Sequence, residues 1–192
     1  MEIRNFQNDF ENADTPEIRN AWLKIFKKKF GDDIEVQWKN ELSIQKGLGI
    51  DVIIKTKKGR RYSIELKTRK DVCFEKDYIM EIINHVYDKE DKATRTHLYS
   101  YDGWIYTTTA EYLFHATLNN KRNNFLEVIF YSLMPFKNET WKSEFNKYEI
   151  LFLPTRNINS FQWTINKLIP KEVIKRDALE FWEWKKEDGI KN

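Results

Sequence analysis

The clearest pattern of apolar and polar positions lies in two adjacent stretches. Ile50, Val52, Ile53 and Ile54 form a β-branched run, and Tyr62, Ile64 and Leu66 alternate with polar residues. Lys57-Lys58-Gly59 lies between them. A three-residue hairpin loop ends on a left-handed residue, a conformation that glycine adopts at little cost. Counting back from such a loop sets Thr56 opposite Arg60 and Asp51 opposite Glu65. Opposed residues share a sheet face. Glu65 and Lys67 are two apart, so they share that face too, roughly 7 Å apart along the strand. A loop one residue shorter or longer would turn Asp51 to the other face.

Upstream, Thr15-Pro16-Glu17 is a helix start, with threonine as cap and proline in the first turn. Ile18, Ala21, Trp22, Ile25 and Phe26 form the apolar stripe of that helix, which stops at Gly31. Residues 1–14 are polar and predict irregular chain or a short helix. Ile34–Trp38 alternates and predicts the strand before the hairpin. Gly47 and Gly49 bracket Leu48 just ahead of Asp51, and a bend explains them better than close approach to a phosphate.

Downstream, Tyr78, Ile79, Ile82, Ile83 and Val86 stand at helical spacing and predict a helix from about Glu75 to Asp88, with His85 on its solvated side. A strand follows over Thr94–Tyr101. Asp102-Gly103 predicts a two-residue hairpin turn, with Trp104–Thr107 returning. Thr108–Glu111 fits a capping box, whereas Tyr112, Phe114 and Thr117 would also suit a strand continuing from Trp104. Phe125–Met134 fits a helix or a strand. Tyr148–Leu153 predicts a buried strand closed by Pro154. Lys171–Lys186 predicts an amphipathic helix with Val173, Ile174, Ala178, Phe181 and Trp182 on one side, packed on the same domain or on a dimer partner. Trp163, Trp182 and Trp184 suit core or dimer surface better than a base-stacking platform.

At 192 residues the simplest organisation is one domain with a real core. The net charge of +3 permits a nucleic-acid partner without requiring one. A single cysteine, Cys73, excludes an intrachain disulfide and a cysteine-rich metal site. The opening Met-Glu-Ile-Arg-Asn-Phe lacks an apolar signal core, and no apolar run approaches the ~20 residues of a membrane span. An intracellular protein is the expectation.

An exposed Glu-x-Lys pair is usually an ordinary, weakly stabilising salt bridge. Asp51 in an otherwise apolar strand changes the reading, because an aspartate placed there usually has a use. Two carboxylates side by side raise each other's pKa, and a divalent cation removes that penalty. Oxygen ligands favour magnesium or manganese over zinc. Lys67 could then orient a water or stabilise charge developing on a phosphate.

Asp51, thirteen intervening residues, and then Glu65-Leu66-Lys67 on the next strand resemble the PD-(D/E)XK nuclease superfamily. That superfamily includes type II restriction enzymes, archaeal Holliday-junction resolvases and phage or viral nucleases. The resemblance covers roughly the first half of the chain, and Ile50 stands where the family name has proline. It implies an α/β fold with a restriction-endonuclease-like core, a central mixed β-sheet flanked by helices. It implies metal ligation by Asp51, Glu65 and the backbone carbonyl of Leu66, with Lys67 as the catalytic lysine. The first helix of such proteins often adds a carboxylate, for which Glu17 comes first and Glu11 second. Glu17 is equally explained by the helix dipole. The implied cofactor is Mg2+, with Mn2+ able to substitute. The implied partner is DNA, cut within the chain and with structure selectivity as in junction resolvases. Lys46, Lys58, Arg60, Arg61, Arg69 and Lys70 would contact phosphates, individually no more than solvated charges. A homodimer and a viral or prokaryotic source follow by the same analogy. The alternative is a non-catalytic member of the fold that binds DNA or protein, and nothing in the sequence separates RNA from DNA.

Overall fold

The computed structural model describes residues 4–5, 15–38, 48–70, 77–88, 97–119, 124–156 and 160–186. The first helix, α1 (Pro16–Phe30), begins as its sequence dictates. Thr15 caps it by accepting the Ile18 amide, and the Gly31 amide closes it on the Lys27 carbonyl at 2.8 Å. Two mixed sheets form the body of the fold.

The six-stranded sheet contains β2 (Ile34–Trp38), β3 (Val52–Thr56), β4 (Arg61–Lys70), β7 (Tyr112–Leu118), β8 (Phe125–Ser132) and β11 (Phe181–Lys185), in the order β11-β8-β7-β4-β3-β2. Only β4 and β7 are parallel within it. The five-stranded sheet contains β1 (Arg4–Asn5), β5 (Asp77–Asp88), β6 (His97–Asp102), β9 (Ile150–Arg156) and β10 (Ser160–Pro170), in the order β1-β9-β10-β5-β6. Short helices α2 (Trp104–Thr107), α3 (Glu139–Glu144) and α4 (Lys171–Asp177) complete it, with a 3-10 turn at Met134–Lys137. The α/β class with a central mixed sheet flanked by helices is therefore as the sequence predicts.

Alternation divides the six-stranded sheet into two faces. Val52, Ile54, Tyr62, Ile64, Phe114, Ala116, Val128 and Phe130 pack with the Ile18, Trp22, Ile25 and Phe26 stripe of α1. Burying each such large side chain contributes roughly 1.5–3 kcal/mol. The other face presents Leu113, Ile129 and Tyr131 to Tyr78 and Met80 of β5 and Ile169 of β10. The two sheets thus share the second core.

Four expectations are corrected. Residues 77–88 form strand β5, not a helix. The residues are rich in β-branched and aromatic types. A register shift between Ile165 and Asn166 on β10 leaves Ile82 as an extra residue opposite that junction, which breaks the alternation into apparent helical spacing. Asp102-Gly103 is not a hairpin turn. Gly103 has φ −66° and caps α2, whose Tyr106 amide donates to the Gly103 carbonyl, so Trp104–Thr107 is helical rather than a returning strand.

The expected helix over 171–186 ends at Asp177, and 181–185 is the edge strand β11 against β8. The Ser132 hydroxyl accepts the amides of Leu179 and Glu180 and turns the chain into that pairing. Where two readings were open, 112–118 and 125–132 are strands. β9 continues through Pro154, at the end of the described β1 pairing, in which Arg4 and Asn5 meet Thr155 and Arg156.

Candidate functional site

The hairpin has the register its turn dictates. Gly59 takes φ 79°, the Thr56 amide meets the Arg60 carbonyl at 2.9 Å, and Val52 pairs with Ile64. Asp51 lies one residue beyond the paired ladder. Its amide donates to the Ile64 carbonyl at 3.0 Å, and its carboxylate Oδ2 accepts the Leu66 amide at 2.7 Å. The Lys67 ammonium meets Glu65 Oε1 at 2.5 Å. Asp51 is thus anchored on the amide of the residue between Glu65 and Lys67, which pair with each other.

Glu65 is only 4% exposed, and its second oxygen, Oε2, is buried without a hydrogen-bond partner among the described residues. The Lys67 ammonium also lies 4.9 Å from the centre of the Trp104 ring, so it is held between a carboxylate and an indole face.

Parallel pairing of β4 with β7 sets Glu65 beside Leu113 and Lys67 beside His115. The antiparallel partner β8 extends the first rung to Tyr131 and the second to Ile129. His115 is buried, its Nδ1 has no partner among the described residues, and its ring stands edge-on to Tyr78 at 4.7 Å. Burial, then the charges of Arg69 and Lys67, hold its pKa well below 6.5, so the imidazole is neutral. The Tyr131 hydroxyl is likewise buried without a partner among the described residues. Burial first, then the Glu65 charge, pushes its pKa far up. Lys137 reaches the same region from the 3-10 turn. Burial lowers its pKa, opposed by Glu65 and Glu111.

His115, Tyr131, Trp104 and Lys137 were not singled out from the sequence. One signal was present, because His115 interrupts the apolar run Tyr112–Leu118 as Asp51 interrupts its own. Nothing in the sequence marks the other three.

The remaining expected residues scatter. Lys58, Arg60 and Arg61 sit at the hairpin tip, and Arg60 is seven residues or roughly 23 Å along the strand from Lys67. Arg60 is engaged by Glu180 at 3.0 Å and by the Tyr112 hydroxyl at 2.9 Å. Arg69 follows Lys67 by two on the same strand, and its guanidinium donates to the Thr68 carbonyl. Lys46 and Glu11 lie outside the described residues, and of Lys70 only the backbone is described. Glu17 is exposed in the first turn of α1. Trp22 of that helix packs on Phe125, whose partner Leu118 pairs with Lys70, so α1 starts at the Lys70 end of β4 but over the face opposite Glu65. Gly49 bends the chain as expected, and it also lets another segment come close. It takes φ 59°, and a Cβ there would lie 2.6 Å from Thr108 Oγ1. The close approach is that of the 108–110 loop.

The donor set suits a hard cation. Asp51, Glu65 and the Leu66 carbonyl offer only oxygen, and Glu65 Oε2 is a buried acceptor with no donor. Magnesium commonly takes one or two carboxylates and completes its shell with water and substrate oxygens. Among the described residues no group of three His, Cys, Asp or Glu side chains gathers as a metal cage. Two carboxylates and solvent are what this site provides.

No family model matches the sequence. No curated protein is significantly similar to it. Among solved structures, the chain is similar to the restriction endonuclease BglI bound to its DNA recognition sequence, at 10% identity and a TM-score of 0.34, over 90% of this chain and 76% of that one.

Proposed function

We propose that this chain is a magnesium-dependent nuclease that hydrolyses phosphodiester bonds of DNA at the Asp51–Glu65–Lys67 site. One observation carries the reading. A buried carboxylate is paired with a lysine, a second carboxylate is anchored on the intervening amide, and one carboxylate oxygen is left without a partner. Burying an ion pair adds little stability, and an unpartnered buried oxygen subtracts from it. Such an arrangement is retained for chemistry more readily than for folding.

Asp51, Glu65 and the Leu66 carbonyl would hold the cation. A bound magnesium ion supplies charge stabilisation to the phosphoryl group and the leaving oxygen. Lys67 neutralises Glu65 in the free protein. With Glu65 engaged elsewhere, its ammonium is available to orient the attacking water or to donate to a phosphate oxygen. The Trp104 ring limits where that ammonium can swing. Arg69 is the basic residue best placed to meet a phosphate, two positions along the same face. Cutting both strands of a duplex needs two such sites, which a homodimer would provide.

The test is nicking of supercoiled plasmid with Mg2+, Mn2+ or chelator, alongside Glu65→Ala and Lys67→Ala. Metal-dependent nicking that falls by about 100-fold or more in both folded variants supports the reading. Cleavage that survives chelator and both substitutions overturns it. Intact DNA binding without cleavage would favour the non-catalytic alternative.

A further inference from the structure

We propose that Lys137 is a positioning residue of this site, holding the Asp51 carboxylate on the Leu66 amide through the 108–110 loop. Its use in catalysis rests on the nuclease reading above, but its structural part does not.

Asp51 lies beyond the last ladder pair of β3 and keeps one backbone bond to β4, its amide to the Ile64 carbonyl, while the chain just before it leaves the hairpin. The segment before it is stapled to the loop that follows α2. The Thr108 hydroxyl donates to the Gly49 carbonyl at 2.7 Å. The Thr109 amide and hydroxyl both donate to the Leu48 carbonyl, at 2.7 and 2.8 Å. Gly49 can approach this closely only without a side chain.

The loop itself hangs between a four-residue helix and the start of β7, and its carbonyls have no ladder partners there. Lys137 supplies the missing donors. Its ammonium donates to the Thr108 carbonyl at 2.7 Å and to the Ala110 carbonyl at 2.8 Å. These bonds flank Thr109, the residue that grips Leu48. Phe136, fully buried beside it, fixes the stem of the 3-10 turn. An ammonium has three donors and two are used here. Glu65 and Glu111 are the acidic groups whose charges act on it. One half-buried lysine thus ties the 3-10 turn, the loop and the Asp51 segment into a single strut that ends at the Leu66 amide.

Hydrogen exchange of the Leu66 amide reads this directly, because that amide donates to Asp51. Asp51→Ala is the positive control. In Lys137→Met the Leu66 amide should exchange about tenfold faster, the worth of one hydrogen bond. Lys137→Arg, which can still donate to two carbonyls, should restore much of the protection. Thr109→Val keeps the amide bond to Leu48 and loses the hydroxyl bond, so it should give a smaller effect in the same direction. If Lys137→Met loosens only the 108–110 amides and leaves Leu66 protected, the proposal is overturned. If Lys137→Met raises exchange everywhere, Thr109→Val decides, because an unchanged Leu66 amide in that folded variant also overturns it.

Plasmid nicking then separates the two claims. A fall in kcat with KM for DNA unchanged places the strut in the chemistry. Wild-type protein that never nicks DNA, with the Leu66 effect intact, removes the nuclease reading and leaves the positioning role.

Discussion

The two faces of the six-stranded sheet are built from the same strands and could hardly differ more. On β4, β7 and β8 the even-numbered positions Ile64, Leu66, Phe114, Ala116, Val128 and Phe130 pack in the core beneath α1. Phe114 and Phe130 are 4.7 Å apart, and Trp22, Phe26 and Phe30 also contact Phe114. The odd-numbered positions include Glu65, Lys67, Arg69, His115 and Tyr131 among Leu113 and Ile129. Of these, Glu65, His115 and Tyr131 each keep a buried polar atom without a partner among the described residues. A face selected for stability alone would replace such groups with apolar ones of similar shape. The helix-covered face holds the fold, and the other face gives up some stability to keep polar groups dry and close together.

The sharpest way to break this contrast is to damage each face in turn. Phe114→Ala should cost about 3–5 kcal/mol in urea unfolding, the usual range for a buried phenylalanine. The molecules that remain folded should still nick DNA. The paired change Glu65→Gln with Lys67→Met should do the reverse. Removing both members of a buried ion pair is often neutral or stabilising by about 1–4 kcal/mol, while the proposed metal ligand and the ammonium are both gone. A double variant that unfolds as readily as Phe114→Ala would show that the second face is structural too.

How much of this was legible in the sequence follows from how local each determinant is. The hairpin register was readable because Gly59 and the alternation around it fix the loop length and hence the Asp51–Glu65 rung. Helix α1 was readable from Thr15, Pro16 and its apolar stripe. The strand β5 was not, because an extra residue in it mimics the period of a helix. Asp102-Gly103 misled because turn chemistry was read without the tertiary hydrogen bond from the Gly103 amide to the Ile82 carbonyl, at 2.9 Å. In the candidate site, Asp51, Glu65 and Lys67 sit on one hairpin and could be counted together. His115 and Tyr131 come from strands whose neighbours are set by a parallel crossover, and Lys137 acts from a turn more than 70 residues beyond Glu65. Spacing along the chain carries no trace of such contacts. The basic residues at the hairpin tip are near the site in sequence but distant along the strand.

A smaller effect tests the join between the faces. Gly49→Ala places a Cβ 2.9 Å from the Thr108 Cα and demands a left-handed backbone of alanine. The backbone term alone is about 1–2 kcal/mol. Stability should fall by at least that much, and nicking should fall with it, because the displaced segment carries Asp51. Loss of stability with full activity would uncouple the loop from the site.

The buried His115 gives the second face a pH signature. Its pKa in the fold is well below the 6.5 of an ordinary histidine, first through burial and then through Arg69 and Lys67. Tyr78 covers the ring from β5. Below about pH 6.5 the unfolded chain therefore binds a proton that the folded chain refuses. Stability should be flat in this respect above that pH and should fall as the pH drops from it toward the folded-state pKa, by up to about 1.4 kcal/mol per unit. His115→Leu should remove that slope in urea unfolding between pH 5 and 7, roughly the range in which histidine titrates. An unchanged slope would assign it to other groups.

The finest test is a single oxygen. Tyr131 shares a rung with Glu65 across β7, and Glu65 is the nearest-ranking charge acting on it after burial. Its hydroxyl has no partner among the described residues. Tyr131→Phe removes that oxygen and nothing else. On a face kept for stability, the hydroxyl would be satisfied and its loss would cost about 1 kcal/mol. On a face that holds polar groups for use, its loss should leave urea stability unchanged or raise it by about 1 kcal/mol, because an unsatisfied buried group is removed. Nicking should decline at the same time, since the dry polar surroundings of Glu65 are altered. Lower stability with unaltered nicking would make the Tyr131 hydroxyl a satisfied, structural group and narrow the functional face to the hairpin and its neighbour His115.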